Sequence, residues 1–195
     1  MTNDYGLVSI ITPTWACAGF IAETIHSILA QTYTNWELLI QDDCSTDNTR
    51  EIVEQFAQGD NRIKYECNDL KSGAAVTRNN ALKRAHGRWI AFLDSDDLWL
   101  PEKLERQLAF MTTNSYAFSY HEYTEMTEDG TDMGVYVSGI RKVSKWMMFA
   151  CCWPGCLTVM YDRERIGLIH INDVRKNNDT AMWLKVVRKS PCYLL

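Results

Sequence analysis

Apolar and polar positions along this chain recur with two periods, near two and near 3.6 residues. The switches between them divide the first 112 residues into four strand–helix pairs. The Val- and Ile-rich run from Leu7 to Thr12 predicts a short buried strand, ended by Pro13. Ile21, Ile25, Ile28 and Leu29 fall at i, i+4, i+7 and i+8 and predict a helix over Phe20 to Gln31. Glu37 to Gln41 is a second strand. The turn Asp42-Asp43-Cys44-Ser45-Thr46-Asp47 then offers helix N-caps, before a helix that buries Ile52, Val53 and Phe56. Arg62 to Glu66 alternates as a third strand, and Ser72-Gly73 opens a third helix with Gly87 suited to its C′ position. Arg88 to Leu93 is the fourth strand, and Pro101 suits N1 of a helix carrying Leu104, Leu108 and Met111.

Short apolar strands with crossover helices predict an α/β fold, its central sheet mostly parallel with helices on both faces. Ligands of such sheets bind at the carboxyl ends of the strands. The polar clusters fall there: Thr12 to Trp15 after the first strand, Asp42-Asp43 after the second, Asp94 to Asp97 after the fourth. That coincidence predicts one composite site. Neither G-x-G-x-x-G nor a P-loop is present, so a dinucleotide fold or P-loop kinase is not supported. Past residue 112 the pattern is less regular. Tyr116 to Tyr120 and Cys156 to Tyr161 look like strands, Thr127 to Gly139 like a mobile loop or hairpin. A helix with Met182, Val186 and Val187 follows the polar stretch Asp173 to Asp179. The chain reads as one domain, 1–195, in which 113–195 completes the sheet and covers the site.

Composition narrows the function classes. At 46% hydrophobic the chain can build a full core, and a net charge of -5 without a basic stripe argues against a nucleic-acid binder. No apolar run reaches the ~18 residues that span a bilayer, and no signal peptide is visible, which predicts a cytoplasmic protein. Seven cysteines with no C-x-x-C pair predict reduced thiols rather than a zinc site. Trp146 to Trp153, dense in Trp, Met, Phe and Cys, fits buried packing or an exposed patch against a membrane or lipid-linked molecule.

The run Phe92-Leu93-Asp94-Ser95-Asp96-Asp97 carries the most chemistry. Three carboxylates in four positions raise one another's pKa unless a cation sits among them. Mg²⁺ and Mn²⁺ bind through one or two carboxylates plus substrate phosphates, so the run suggests a metal-bridged phosphate ligand. The competing reading is a solvated acidic turn before the helix at Pro101.

Four blocks in order carry a resemblance over roughly residues 6 to 190: Val8 to Trp15, Glu37 to Thr49, Gly73 to Asp97 and Asn178 to Val187. In these the chain resembles family 2 of the nucleotide-sugar glycosyltransferases, which have the GT-A fold. The resemblance implies that residues up to about 112 bind the nucleotide sugar and that the remainder faces the acceptor. It implies that Asp43 accepts the imide N–H of uracil and that Thr12, Pro13 and Trp15 flank the nucleobase. Arg78 approaches the diphosphate, a role its planar guanidinium suits. Asp94-Ser95-Asp96 is the family's D-x-D element, with Asp96 and Asp97 as metal contacts and Asp94 orienting the turn or the ribose. Asp179 matches the catalytic base, although Asn178 stands where the family has Glu. Trp15 stands where the family usually has Tyr, and Ala16 where it has Asn. Gly155 and Cys156 match the segment beside the donor sugar.

The implied activity is an inverting transfer, assisted by Mn²⁺ or Mg²⁺, from a nucleoside-diphosphate sugar, a UDP-sugar above all. The acceptor is a hydroxyl of a saccharide or lipid-linked molecule in cell-surface polysaccharide synthesis. Peripheral contact with the inner face of the membrane goes with such an acceptor. Two other readings stand beside it: a non-catalytic sugar-nucleotide binding module, and a metal-dependent phosphotransferase. Against the latter, the Asp pair follows the fourth strand rather than the first.

Overall fold

The computed structural model describes residues 4–150, 154–171 and 178–195. The strands are β1 (Val8–Thr14), β2 (Trp36–Asp42), β3 (Ile63–Cys67), β4 (Trp89–Phe92) and β5 (Phe118–Tyr120), then β6 (Tyr123–Met126), β7 (Asp132–Val137), β8 (Lys142–Val143), β9 (Met160–Asp162) and β10 (Cys192–Leu194). The helices are α1 (Ile21–Leu29), α2 (Thr49–Gly59), α3 (Ala74–Lys83), α4 (Lys103–Thr113), α5 (Lys145–Ala150), α6 (Arg163–Ile166) and α7 (Asn178–Val187).

Eight strands form one sheet in the order β3-β2-β1-β4-β9-β5-β10-β8, and β6 and β7 form a separate hairpin. The first four strands run parallel, in the alternation expected from the sequence. β9 enters antiparallel between β4 and β5, which restores β5 to the direction of β4. Strand residues alternate between two cores. Ile10, Leu38, Ile40 and Trp89 pack on α1, α2 and α4, while Ile11, Leu39, Ile90 and Phe92 pack on α3 and α7. Trp183 of α7 is fully buried, its ring edge-on to Phe92 at 5.1 Å between centroids. No helix among the described residues is long and apolar enough to cross a membrane.

Several local expectations are corrected. Pro13 does not end β1, which runs on to Thr14. β4 pairs with β1 only as far as Ile11–Phe92, so past that point one side of β1 has no partner strand and a residue without an N–H is tolerated. Pro101 lies ahead of α4 rather than at N1, its carbonyl taking the Thr32 N–H at 2.9 Å; Glu102 is the N-cap. Asn48, not Asp47, sits at the N-cap of α2, and the cap has no side-chain hydrogen bond. Asp47, one residue earlier, accepts the Thr49 N–H (3.2 Å) and Thr49 Oγ1 (2.6 Å) as well as the Ala18 N–H, so it serves the helix start and ties this turn to the loop after β1. Cys156 to Thr158 form a 3₁₀ turn and β9 begins only at Met160. Of the two expectations for Thr127 to Gly139, the hairpin holds: the stretch supplies the turn and the second strand, to Val137, of the β6–β7 hairpin. The aromatic stretch divides: Met148 is buried, Trp146 and Phe149 are exposed, and Trp153 lies outside the described residues.

Gly87 is the most instructive correction. α3 ends at Lys83 with Arg84 as its C-cap, so Gly87 is not its C′ residue. It sits where the chain crosses β1, and a Cβ there would lie 2.6 Å from the Ser9 nitrogen and 2.7 Å from the Leu7 oxygen. Beside it, Ser9 Oγ donates to Glu37 (2.6 Å) and accepts the Gly87 N–H (2.8 Å), while Lys64 closes on the other Glu37 oxygen at 2.6 Å. This network ties β1, β2, β3 and the entry to β4 together at the end of the sheet opposite the polar clusters. We expect Gly87→Ala to cost about 1–3 kcal/mol through overpacking against backbone that cannot yield. A urea midpoint equal to that of the unsubstituted protein would remove this account.

Candidate active site

The carboxyl ends of the parallel strands meet at a cleft of about 390 Å³ lined by Pro13, Thr14, Trp15, Asp43, Lys71, Gly73, Ala74, Arg78, Asp94 and Asp96. The residues expected after β1, after β2, on α3 and after β4 therefore converge in space. Thr12, Ser95, Asp97 and Asp179, also expected at the site, are not among the lining residues. Thr12 is fully buried within β1, and Thr14, one pleat further on, takes its place at the cleft. Ser95 is buried, and its carbonyl anchors the acidic turn to α1 by accepting from Thr24 Oγ1 (3.0 Å) and Cys17 Sγ (3.4 Å).

Asp43 is held as a ready acceptor. Its Oδ1 accepts from the Ser72 N–H (2.7 Å) and Asn68 Nδ2 (2.9 Å), its Oδ2 from the Gly73 N–H (2.8 Å). Burial alone would raise this carboxyl, but these donors outweigh it and hold the group below the usual aspartate range. A carboxylate offers about four lone-pair positions, so one on Oδ2 stays open toward the cleft. Trp15, about half exposed, presents a ring with Lys71 Nζ 3.4 Å from its centroid. The turn behind it bends at Ala16, whose φ of 48° lies in the left-handed region that Asn tolerates better than Ala.

Arg78 ties the halves of the site together. It is 8% exposed; Nη2 donates to Asp94 at 2.6 Å and Nη1 to Asn178 Oδ1 at 2.6 Å. One side chain on α3 thus bonds both the acidic turn and the start of α7. Asp179 follows Asn178 and bonds the Thr180 N–H at 2.8 Å. It lies within electrostatic reach of Arg78, as do Cys156 and Asp94. Asn79, next on α3, takes both backbone groups of Ile171, at 2.8 and 2.7 Å.

In the acidic turn, the Asp97 N–H donates to the Asp94 carbonyl at 3.2 Å, and Asp96 stands exposed at the tip. Burial, then Asp94 and Asp96, push the Asp97 carboxyl up to about 7. Among the described residues no three His, Cys, Asp or Glu side chains converge to hold a metal ion. What the turn presents is oxygen donors only, two or three crowded carboxylates. That set fits a hard divalent cation whose remaining positions are filled by phosphate oxygens and water.

Thr14 fell within the expected Thr12–Trp15 cluster without a role of its own, while Lys71, Gly73 and Ala74 of the lining and the supporting Asn68 were given no part in the site. Asn68 is the first residue past β3, so the rule that located the other clusters also pointed to it. Its mixed polar neighbours, Cys67 and Asp69, gave no chemical signature.

The Asp43 cradle has a consequence for stability. Its folded pKa lies below the unfolded value, near 3.9, so its contribution is present above that value and lost as pH falls through the folded pKa. Asp43→Asn turns an N–H donor toward one of the amides and should cost about 1–3 kcal/mol at pH 7. The gap to the unsubstituted protein should narrow below pH ~4 as Asp43 itself becomes protonated. Chemical denaturation at pH 7 and pH 3 measures both; a gap independent of pH would sink the account.

Comparison with known proteins agrees with this geometry. The family model described as "Glycosyl transferase family 2" matches residues 9–146. A Bacillus subtilis protein provisionally named a teichuronic acid biosynthesis glycosyltransferase is 45% identical over 189 residues, covering 97% of this chain and 75% of that protein. A UDP-Glc:alpha-D-GlcNAc-diphosphoundecaprenol beta-1,3-glucosyltransferase of Escherichia coli is 43% identical over 186 residues, covering 95% of this chain and 71% of that protein. Among solved structures, residues 1–349 of S. aureus TarS in complex with UDP superpose with a TM-score of 0.80 at 23% identity, covering 96% of this chain and 57% of that one. The chain thus spans a little over half the length of that solved structure, and the likeness shows the fold.

Proposed function

The chain belongs to glycosyl transferase family 2 and has the GT-A fold. From that footing we propose that it transfers a sugar, with inversion, from a UDP-sugar to a hydroxyl of a saccharide or lipid-linked acceptor in cell-surface polysaccharide synthesis. The observation that carries this reading is the single cleft in which a fixed carboxylate, an exposed indole, a buried guanidinium and an acidic turn face one space. The names of the relatives support the class of donor and acceptor. Work on a lipid-linked acceptor implies a cytoplasmic protein in peripheral contact with the membrane.

Each residue then has a physical task. The open lone pair of Asp43 accepts the uracil imide N–H, and three fixed donors keep that carboxylate from turning away. Trp15 stacks on the base through the ring face that Lys71 leaves free. Arg78, already bonded to Asp94, presents its remaining N–H groups toward the diphosphate. Asp96 and Asp97 would hold Mn²⁺ or Mg²⁺, which when bound neutralises charge on the departing diphosphate. Asp179 removes the proton from the acceptor hydroxyl as its oxygen attacks the anomeric carbon. Asn178 keeps this base at a fixed distance from the donor site through Arg78. Alignment of two substrates in one cleft supplies much of the rate.

Binding and transfer separate in the test. Thermal unfolding is followed with UDP, GDP, dTDP and CMP, each with and without Mn²⁺. A ligand at 100 times its Kd adds ~2.7 kcal/mol, which moves Tm by several degrees. UDP with Mn²⁺ should give the largest shift, and Asp96→Ala should abolish it. Asp179→Asn should keep that shift while transfer from UDP-sugars to a polyprenyl-diphosphate sugar falls by ~10²–10⁴-fold. A UDP shift with no transfer to any acceptor would favour a binding module. The absence of a shift with every nucleotide would overturn the donor site.

A further inference from the structure

Beside the Asp43 cradle two thiols meet that the proposed reaction does not use. Cys44 follows Asp43, and Cys67 ends β3, directly opposite Asp42 in the register of β2 and β3. Their sulfurs share one acceptor, the Asn68 carbonyl, at 3.2 Å from Cys44 Sγ and 3.4 Å from Cys67 Sγ. Both are reachable, Cys67 exposed and Cys44 partly so, and both are free thiols. Cys44 holds a φ of 62°, uncommon for a residue with a Cβ, and this conformation directs its side chain toward the end of β3.

Asn68 makes the pair more than a local curiosity. The residue whose carbonyl receives both S–H groups donates through Nδ2 to Asp43 and to Thr77, each at 2.9 Å. Its Oδ1 accepts from Gln41 (3.1 Å) and Asn80 (2.9 Å). A change at the thiols reaches the Asp43 carboxylate through one residue.

We propose that Cys44 and Cys67 are a modification site, a dithiol that closes reversibly into a disulfide and, by moving Asn68, weakens nucleotide binding at Asp43. The oxidant class is a small-molecule disulfide such as oxidised glutathione. The exposed Cys67, as thiolate, attacks one sulfur of that disulfide, and one glutathione thiolate leaves. Burial and the neighbouring Cys67 raise the Cys44 thiol, so it reacts second. Having given its proton to solvent, Cys44 attacks the Cys67 sulfur of the mixed disulfide and releases the second glutathione thiolate. Two thiols are oxidised by two electrons, one disulfide is reduced to two thiols, and the two sulfur-bound protons go to solvent and the glutathione thiolates. The new S–S bond removes both S–H donors from the Asn68 carbonyl and draws the Cys44 backbone toward β3.

The second half of the proposal rests on the nucleotide reading above; the first half does not. The whole chain is incubated with oxidised glutathione, blocked with iodoacetamide, digested without reductant and analysed by mass spectrometry. The expected result is a linked pair of peptides carrying Cys44 and Cys67, lighter than the reduced pair by two hydrogens. Dithiothreitol should abolish it, and Cys44→Ser and Cys67→Ser should lack it. Recovery of both residues as alkylated thiols, of a lasting glutathione adduct on Cys67, or of either residue linked elsewhere would overturn the pair. In parallel, the UDP–Mn²⁺ thermal shift of the oxidised chain should fall at least twofold, returning with reductant, while Cys67→Ser is indifferent to oxidant. An equal shift in both redox forms would overturn the coupling. If the reduced chain shows no UDP shift, the nucleotide reading fails, and the linked peptides still decide the thiol pair.

Discussion

A guanidinium charge buried in the protein interior is tolerable only when its surroundings hold it, and the architecture of this site follows from how Arg78 is held. Its two terminal nitrogens bond Asp94 and Asn178 at 2.6 Å, and those residues lie on the loop after β4 and at the start of α7. Removing either partner would leave buried charge short of a hydrogen bond, a cost several times that of an exposed pair. α3 therefore sets the spacing between the acidic turn and the helix of Asp179. Asn79 adds a two-point hold on Ile171, so consecutive residues of α3 grip the chain on both sides of the 172–177 stretch. A mechanism that needs donor and acceptor in line depends on that spacing being fixed before either substrate arrives.

The sequence disclosed the elements whose pattern is long enough to show a period. Residues 8 to 113 alternate strand and helix as the apolar spacing indicates, because helices of nine or more residues, the buried strands β1, β2 and β4 and the alternating β3 leave a strong signature. The carboxyl-edge rule then located Trp15, Asp43 and Asp94 without any contact being known, whereas Arg78, on α3, came only from the family resemblance. The signal failed where tertiary contacts decide. β8, β9 and β10 have two or three residues each, too few for periodicity, and their place in the sheet order comes from packing rather than local pattern. Gly87 illustrates a different failure. A glycine just past a helix has the same sequence signature whether it serves the helix C-terminus or a close crossing of backbone, and only the neighbour, β1, distinguishes the two. Thr12, carried over from the family resemblance, and Thr14 differ by one pleat, and it is Thr14 that reaches the cleft.

Asn68 and Glu37 show how the two ends of the sheet are specialised with the same polar chemistry. At one end Glu37 is a buried carboxylate satisfied by Ser9, the His86 N–H and Lys64, all of them fixed, and the result is a closed structural knot. At the other end Asp43 is satisfied by three donors but keeps one acceptor position toward an open cleft. The difference lies in the cation: Lys64 completes Glu37, whereas among the described residues no basic side chain bonds Asp43. A ligand donor of matching geometry is what such a carboxylate lacks.

The charge around the cleft bears on how a diphosphate could enter it. Asp43, Asp94, Asp96, Asp97 and Asp179 gather near Arg78 and Lys71, so acids outnumber bases before any phosphate arrives. Arg78 is largely committed to Asp94, and Lys71 stands over Trp15 rather than over the acidic turn. A diphosphate would add further negative charge next to a carboxyl that burial, then Asp94 and Asp96, already push up to about 7. Repulsion at these separations is worth kilocalories in a partly buried site, more than one paired arginine offsets. On the proposed reading the donor would bind with a cation held by the carboxylates of the turn, or those carboxylates would have to take up protons to admit it. The open, all-oxygen face of the turn favours the first, since a bare exposed carboxylate gains far more from a divalent ion than from a proton at neutral pH.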